Sequence, residues 1–120
     1  MNRQVAHYAA RPPLSPAALR LVGMITGIGF GRIERLCVRN GQPTFDPPPL
    51  VTRTIKLGPS RSYVPLPVEQ AAARPEVRQL LAEIASLGTG AIERVEIRDG
   101  HPVFLEIANG SLRQEAGREG

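Results

Sequence analysis

The sequence contains two similar segments of equal length, and this internal repeat constrains the fold more than any other feature. Residues 16–45 and 75–104 align without a gap at an offset of 59 residues and are identical at 12 of 30 positions. The agreement is densest in GFGRIERLCVRNGQPTF (29–45) and GTGAIERVEIRDGHPVF (88–104). Because self-similarity at a fixed period is the signature of a repeated structural unit, we interpret the segments as two copies of one module, the first repeat and the second repeat.

Each repeat begins with a predicted helix. Ser15 followed by Pro16 favours a helix start, because the hydroxyl caps a free N–H group and proline has no N–H to leave unpaired. Pro75 occupies the equivalent position in the second repeat. Gly29 and Gly88 favour helix ends, since glycine adopts the left-handed conformation without a steric penalty. Apolar residues recur between these limits at helical spacing: Leu19, Val22 and Ile25, and then Val77, Leu80, Leu81, Ile84 and Leu87.

A predicted β-hairpin follows each helix. Asn40-Gly41 and Asp99-Gly100 are strong signals for a two-residue type I′ turn, which needs positive φ at both positions. The register set by these turns predicts four pairs on the helix-facing side: Val38 with Pro43, Leu36 with Phe45, Ile97 with Pro102, and Val95 with Phe104. The opposite side is predicted to carry Ile33, Arg35, Cys37 and Arg39, and also Ile92, Arg94, Glu96 and Arg98.

Together these elements predict an α+β fold, a tandem duplication of a helix–β-hairpin (α-β-β) module packed as a two-layer pseudodimer. One helix and one hairpin bury too little surface to be stable alone, so the repeats are expected to pack together. Residues 51–57 alternate in polarity and predict an additional strand. The predicted organisation is a flexible N-terminal arm (1–14), the first repeat with the extra strand (15–57), a proline-rich linker (58–73), the second repeat (74–109) and a disordered tail (110–120).

The composition excludes several classes of protein. No apolar run approaches the ~20 residues of a membrane-spanning helix, and the first residues contain no apolar signal-peptide segment. The single cysteine, Cys37, excludes an internal disulfide, and the two histidines, His7 and His101, do not provide a zinc-binding set. We therefore expect a cytoplasmic protein that uses neither a metal nor a cofactor.

No pattern in the sequence indicates catalysis. Glu34-Arg35 and Glu93-Arg94 place a carboxylate beside a cation, as acid–base chemistry can require, but ordinary cross-strand ion pairs use the same residues. The glycine-rich segment 27–31 follows a predicted helix, whereas a dinucleotide-binding loop follows a strand and opens a helix. We therefore expect that the protein is not an enzyme and has no catalytic residues.

Charge is distributed unevenly along the chain. Residues 1–67 contain nine basic and two acidic residues, a net charge of +7, whereas residues 68–120 contain six and nine, a net charge of −3. A basic segment favours a polyanionic partner, and oppositely charged halves favour association. The sequence predicts nucleic-acid binding through the phosphate backbone by six cations of the first half: Arg32, Arg35, Arg39, Arg53, Lys56 and Arg61. The alternative is a protein-interaction or oligomerisation module that uses sheet edges and complementary charged halves.

The second repeat resembles the YezD-like family of very short bacterial proteins. The resemblance rests on a glycine turn after a helix, a strand, an Asp-Gly turn and a return strand, here GAIERVEIRDG (90–100), and it continues through Phe104-Leu105-Glu106. Residues 31–45 of the first repeat are less similar, and this chain differs from the family in its duplication and in the proline after each turn. The family has no established activity, so the resemblance implies an α-β-β fold and no functional residue.

Overall fold

A computed structural model describes residues 14–59 and 63–108 of the chain. Their elements in chain order are helix α1 (Pro16–Ile28), strands β1 (Gly31–Arg39), β2 (Gln42–Thr44) and β3 (Leu50–Arg53), helices α2 (Val68–Ala72) and α3 (Pro75–Leu87), and strands β4 (Gly90–Arg98) and β5 (His101–Ile107). The strands form one antiparallel sheet, so the predicted α+β class is confirmed. None of the described helices is long and apolar enough to cross a membrane.

The two long helices begin and end where their capping residues predict. Ser15 Oγ accepts a hydrogen bond from the Ala18 N–H at 3.0 Å, and Pro16 occupies the first turn of α1. Helix α1 ends at Gly29, with φ of 72°, and α3 ends at Gly88, with φ of 75°. Glycine tolerates this conformation because it has no Cβ. The predicted helices are therefore confirmed.

Both predicted hairpin turns are also present. Asn40 and Gly41 have φ of 53° and 74°, and Asp99 and Gly100 have φ of 53° and 79°. Positive φ at both central residues defines the type I′ turn, whose twist matches that of the flanking strands. Two of the four predicted pairs follow from these turns and are confirmed: Val38 with Pro43, and Ile97 with Pro102.

Strands β1 and β4 lie side by side at the centre of the sheet. Strand β5 flanks β4, while β2 and β3 both pair with β1, β2 along Cys37–Arg39 and β3 along Gly31–Glu34. The predicted strand over 51–57 is therefore displaced and shortened to Leu50–Arg53. Its last residue, Arg53, pairs with Gly31, the first residue of β1. The outer edges of the sheet belong to β2 and β3 on one side and to β5 on the other.

The core lies between one face of the sheet and helices α1 and α3. Its buried side chains come from both repeats: Leu21, Ile25, Ile28, Ile33, Leu36, Val38, Leu80, Ile84, Ile92, Val95 and Ile97. Helix α2 lies within the predicted linker. Its buried Ala71 forms a second, small hydrophobic cluster together with Val22 and Val77. Residues 1–13 of the predicted arm and the predicted tail lie outside the described residues.

The prediction that Ile33 and Ile92 lie on the helix-free side of the hairpins is wrong. Both side chains are fully buried in the core. The reason is a break in the alternation of β1 at Arg35, which has φ of 58°. This break places Ile33 and Leu36 on the same side of the sheet. In β4, a register irregularity after Ile92 likewise accompanies the burial of Ile92 on that side.

The predicted pairing of Val95 with Phe104 is also wrong. A register shift between Glu96 and Ile97 pairs Val95 with Leu105 and Glu96 with Phe104. Paired residues in an antiparallel sheet point to the same side. Phe104 therefore turns away from the core and is 62% exposed.

Tyr63 connects the segment before α2 to both repeats. Its hydroxyl donates a hydrogen bond to the Thr26 carbonyl at 2.8 Å. Its ring meets the Phe30 ring edge-on, with the centroids 6.0 Å apart. It also lies against Gly29 and Gly100, where a Cβ atom would overlap it. These glycines thus leave the space that the tyrosine occupies.

We expect the ionisation of Tyr63 to lower the stability of the protein at alkaline pH. Burial raises its pKa above 10.0, and Asp99 adds to the increase while Arg74 opposes it. Above the tyrosine pKa of the unfolded chain, the folded state binds more protons than the unfolded state, so the free energy of unfolding falls as pH rises. This stabilising contribution is intact below pH 10.0 and is lost as pH rises through the higher folded pKa.

Urea unfolding at a series of pH values tests this expectation with Tyr63→Phe. At neutral pH the free energy of unfolding of the variant should be about 1 kcal/mol lower, because the variant lacks the hydrogen bond to Thr26. As pH rises into the alkaline range, its free energy of unfolding should fall less steeply than that of the original protein. All other ionisable groups are the same in the two proteins, so the difference between their curves of stability against pH is due to Tyr63. An equally steep decline in the variant would contradict the assignment.

Candidate interaction surfaces

The face of the sheet opposite the helices, here called the open face, carries three of the predicted cations. Arg35 and Arg39 of β1 are exposed, and Arg32 is half-buried. Arg32 and Arg39 alternate with the core residues of the same strand, and Arg35 follows Glu34 at the break in that alternation. The neighbouring strand β4 places Arg94 and Arg98 on this face as well, since they alternate with its buried residues.

Acidic residues lie between these cations. Across the β1–β4 ladder, Arg32 pairs with Glu96 and Glu34 pairs with Arg94. Two ion pairs form, one between Arg32 Nε and Glu34 Oε1 at 3.4 Å and one between Arg94 Nη2 and Glu106 Oε2 at 2.9 Å. Exposed pairs of this kind contribute little stability. Their effect here is that positive and negative charge alternate over the open face.

The two other predicted cations that the structure describes, Arg53 and Lys56, do not join this group. Arg53 pairs with Gly31 and therefore lies on the same side of the sheet as Gly31 and Ile33, which is the helix side. Lys56 is exposed beyond the end of β3. Arg61 lies outside the described residues. The structure thus brings Arg32, Arg35 and Arg39 together, and separates Arg53 from them.

A groove runs between helix α3 and the free edge of β5. It has a volume of about 370 Å³ and is lined by these residues, here called the β5 groove: Glu76, Gln79, Leu80, Glu83 and Pro102–Leu105. The helical residues recur at intervals of three and four, so they share one face of α3. Leu80 and Pro102 are buried, while Glu76, Glu83 and Phe104 are exposed. The groove therefore combines an apolar floor, an acidic wall and an edge of β5 that no other described strand pairs with.

The equivalent place in the first repeat is closed. Phe45, which corresponds to Phe104, packs partly buried against the core. The guanidinium carbon of Arg20 lies 4.2 Å from the centre of its ring. Gln79 replaces Arg20 in the second repeat, and the register shift in β5 turns Phe104 outward. The two repeats thus differ at the β5 groove.

Sequence reasoning missed the β5 groove, although part of its signal was present. The spacing of Glu76, Gln79 and Glu83 places three polar side chains on one face of a predicted helix. What the sequence did not reveal is that this face borders the edge of β5. That information depends on the outward rotation of Phe104, which a two-residue turn alone does not predict.

Among residues 14–59 and 63–108, no group of three or more His, Cys, Asp or Glu side chains is placed to hold a metal ion. Cys37 is a free, half-buried thiol on the open face, paired across the ladder with Thr44.

Comparisons with models of known families, with curated proteins and with solved structures gave no match to this chain. The resemblance to the YezD-like family therefore stays a prediction.

Proposed function

We propose that this protein is a non-catalytic interaction module that binds an extended segment of a protein partner along the free edge of β5. The β5 groove carries this proposal. It joins an apolar floor to backbone groups of β5 that no other described strand pairs with, and the equivalent place in the first repeat is filled by the protein's own Phe45 and Arg20.

The chemistry of such a site is strand addition. An extended peptide that joins a sheet edge gains main-chain hydrogen bonds, and pockets for its alternate side chains give specificity. Among the described strands β5 pairs only with β4, so its outer edge offers those bonds. Val103 lines the groove, and Phe104, which is 62% exposed, lies on the open-face side of β5. Both offer apolar contact to an added strand, and Glu76 and Glu83 favour a basic segment.

Selection from a displayed library of random peptides tests the proposal. We expect the immobilised protein to enrich peptides in which basic and apolar residues alternate. The enriched peptides should lose about tenfold or more in affinity for Phe104→Asp, because a desolvated carboxylate opposes apolar contact. Since Phe104 is exposed, the substitution should leave the fold intact.

Leu19→Asp is the matched control, because Leu19 is also an exposed apolar residue but lies on α1. The control should bind the enriched peptides as well as the original protein does. No enrichment, or equal binding to the Phe104→Asp variant, would refute strand addition at β5.

We also propose that the chain is a tandem duplication whose repeats pack as a pseudodimer. The β1–β4 register supports this, because the pair Gly31–Ile97 becomes Gly90–Val38 when each residue is replaced by its counterpart in the other repeat, and both pairs occur. Two backbone hydrogen bonds are exchanged in the same way. The Gly41 N–H donates to the Gly88 carbonyl at 2.7 Å, and the Gly100 N–H donates to the Gly29 carbonyl at 2.8 Å.

Nucleic-acid binding through the first repeat is a second candidate function. It is favoured by the position of Arg35 and Arg39, which lie on one strand face, are exposed, and form no ion pair within the described part of the chain. Guanidinium groups placed in this way can contact phosphates. The alternation with Glu34, Glu93 and Glu96 weakens the attraction, so we rank this function second.

Binding to random duplex DNA, single-stranded DNA and RNA at low and high salt tests the second candidate. If the first repeat binds, affinity should fall steeply with salt, because bound cations release counterions from the phosphates. Arg35→Glu with Arg39→Glu should then abolish binding and leave thermal stability nearly unchanged. The matched pair Arg94→Glu with Arg98→Glu should retain it. Equal loss in both variants would indicate a surface shared by the two repeats, and no binding at low salt would eliminate the function.

A further inference from the structure

The edge of the sheet opposite β5 exposes an unusual amount of apolar surface. Leu50 and Val51 of β3 are exposed, and Ile55 and Leu57, which follow the strand, are 64% and 86% exposed. Within residues 14–59 and 63–108, strand β3 pairs only with β1, so its outer edge has no partner there. Soluble proteins usually protect such edges, because a long apolar edge invites pairing with another chain. We call residues 50–57 the β3 edge segment.

The β3 edge segment and the β5 groove are complementary in charge. The segment contains Arg53 and Lys56 and no acidic residue. The groove is lined by Glu76 and Glu83 and contains no basic residue. Complementary potentials of this kind select partners and fix their register. Apolar residues on both sides, such as Ile55 and Phe104, would be covered by the same contact.

The topology prevents these two edges from meeting within one copy. The β3 edge segment lies beside β1 and the groove lies beyond β4, on opposite sides of the sheet. Each copy therefore presents one edge of each kind. Pairing between copies would continue the sheet from one molecule to the next, and the strand edges would supply the hydrogen bonds that neither edge makes alone.

We propose that the partner of the β5 groove is a second copy of this chain, which inserts its β3 edge segment along β5. This inference rests on the proposed function, because it names the occupant of the same groove. The contact joins two different surfaces, so it is head-to-tail, and repetition produces a closed ring or an open chain of copies.

Sedimentation velocity of the full chain over a wide concentration range tests the proposal with paired charge reversals. Wild-type protein at low salt should form species larger than a monomer, and their mass should fall as salt rises, because exposed charges are screened. The groove variant, Glu76→Arg with Glu83→Arg, should be monomeric, since its own edge segment is basic. The edge variant, Arg53→Glu with Lys56→Glu, should be monomeric for the converse reason.

An equimolar mixture of the groove variant and the edge variant is the decisive measurement. The basic edge segment of the groove variant is complementary to the acidic groove of the edge variant. The groove made basic in one variant is likewise complementary to the edge segment made acidic in the other. The mixture should therefore assemble although each component alone does not. Glu69→Arg with Glu93→Arg reverses two exposed acids outside the groove and is the matched control, which should assemble as wild type does.

Three results would overturn the proposal. Wild-type protein could be monomeric at every concentration at low salt. The edge variant could assemble as wild type does, which would assign the groove to another segment. The mixture could remain monomeric. If wild type is monomeric but a library peptide still binds in a manner that depends on Phe104, only the identity of the partner fails and the proposed function stands. If that peptide binding is also lost, both fail.

Discussion

Replacing Gly31 with alanine should destabilise the protein by roughly 3 kcal/mol or more, because the substitution combines backbone strain with a steric overlap. Gly31 has φ of 151°, which residues with a Cβ rarely adopt. A Cβ at this position would overlap the Thr52 carbonyl oxygen and lie 2.9 Å from the Arg53 Cα. Both of those atoms belong to backbone of β3, so relief requires β3 to move away from β1.

Gly90→Ala is the matched control, because Gly90 occupies the equivalent position in the second repeat. The atoms nearest to a Cβ there would belong to the side chain of Leu87, with Cδ1 at 3.3 Å, and this side chain can shift. We therefore expect Gly90→Ala to lose much less stability than Gly31→Ala in urea unfolding. Equal losses would mean that the close approach of β3 to β1 is not what fixes a glycine at position 31.

The features that the sequence predicted correctly depend on neighbouring residues. The cap at Ser15, the helix end at Gly29 and the Asn40-Gly41 turn each follow from the backbone preferences of a few adjacent residues. A short pattern is sufficient to recognise them. The positions of both long helices and both hairpin turns could therefore be predicted from the amino-acid sequence alone.

The features that the sequence did not predict depend on contacts between distant residues. The left-handed conformation of Arg35 interrupts the alternation of β1, and nothing in its immediate sequence indicates this. It is accompanied by burial of both Ile33 and Leu36 against the helices, so we attribute it to packing. A pattern of strict alternation cannot contain such a break.

The distribution of charge around the predicted nucleic-acid residues also depends on contacts between distant residues. The excess of basic residues in the first half of the chain can be read from the sequence, but it does not indicate which strands are neighbours. Pairing of β1 with β4 brings Glu96 beside Arg32 and Arg94 beside Glu34. Charges that are separated along the sequence thus alternate on the open face. The net charge of a segment along the chain therefore does not describe the charge of the surface to which that segment contributes.

Ile25→Ala and Ile84→Ala should each destabilise the protein by about 2–5 kcal/mol, the range for truncation of a buried aliphatic side chain. Ile25 of α1 and Ile84 of α3 occupy equivalent positions in the two repeats, and each is almost completely buried in the same core cluster. If the repeats pack as a pseudodimer, the two losses should be similar. Leu19→Ala, at an exposed position of α1, should cost far less.

Urea unfolding of these variants also tests whether the two repeats share one core. Because Ile25 and Ile84 belong to one cluster, each substitution should lower the midpoint of a single transition for the whole protein. Separate transitions, with each substitution affecting only one, would mean that the repeats fold independently. A much larger loss for one residue than for the other would contradict the pseudodimer, since equivalent positions would then have different surroundings. A single transition with similar losses would instead be expected of two modules that are too small to be stable apart.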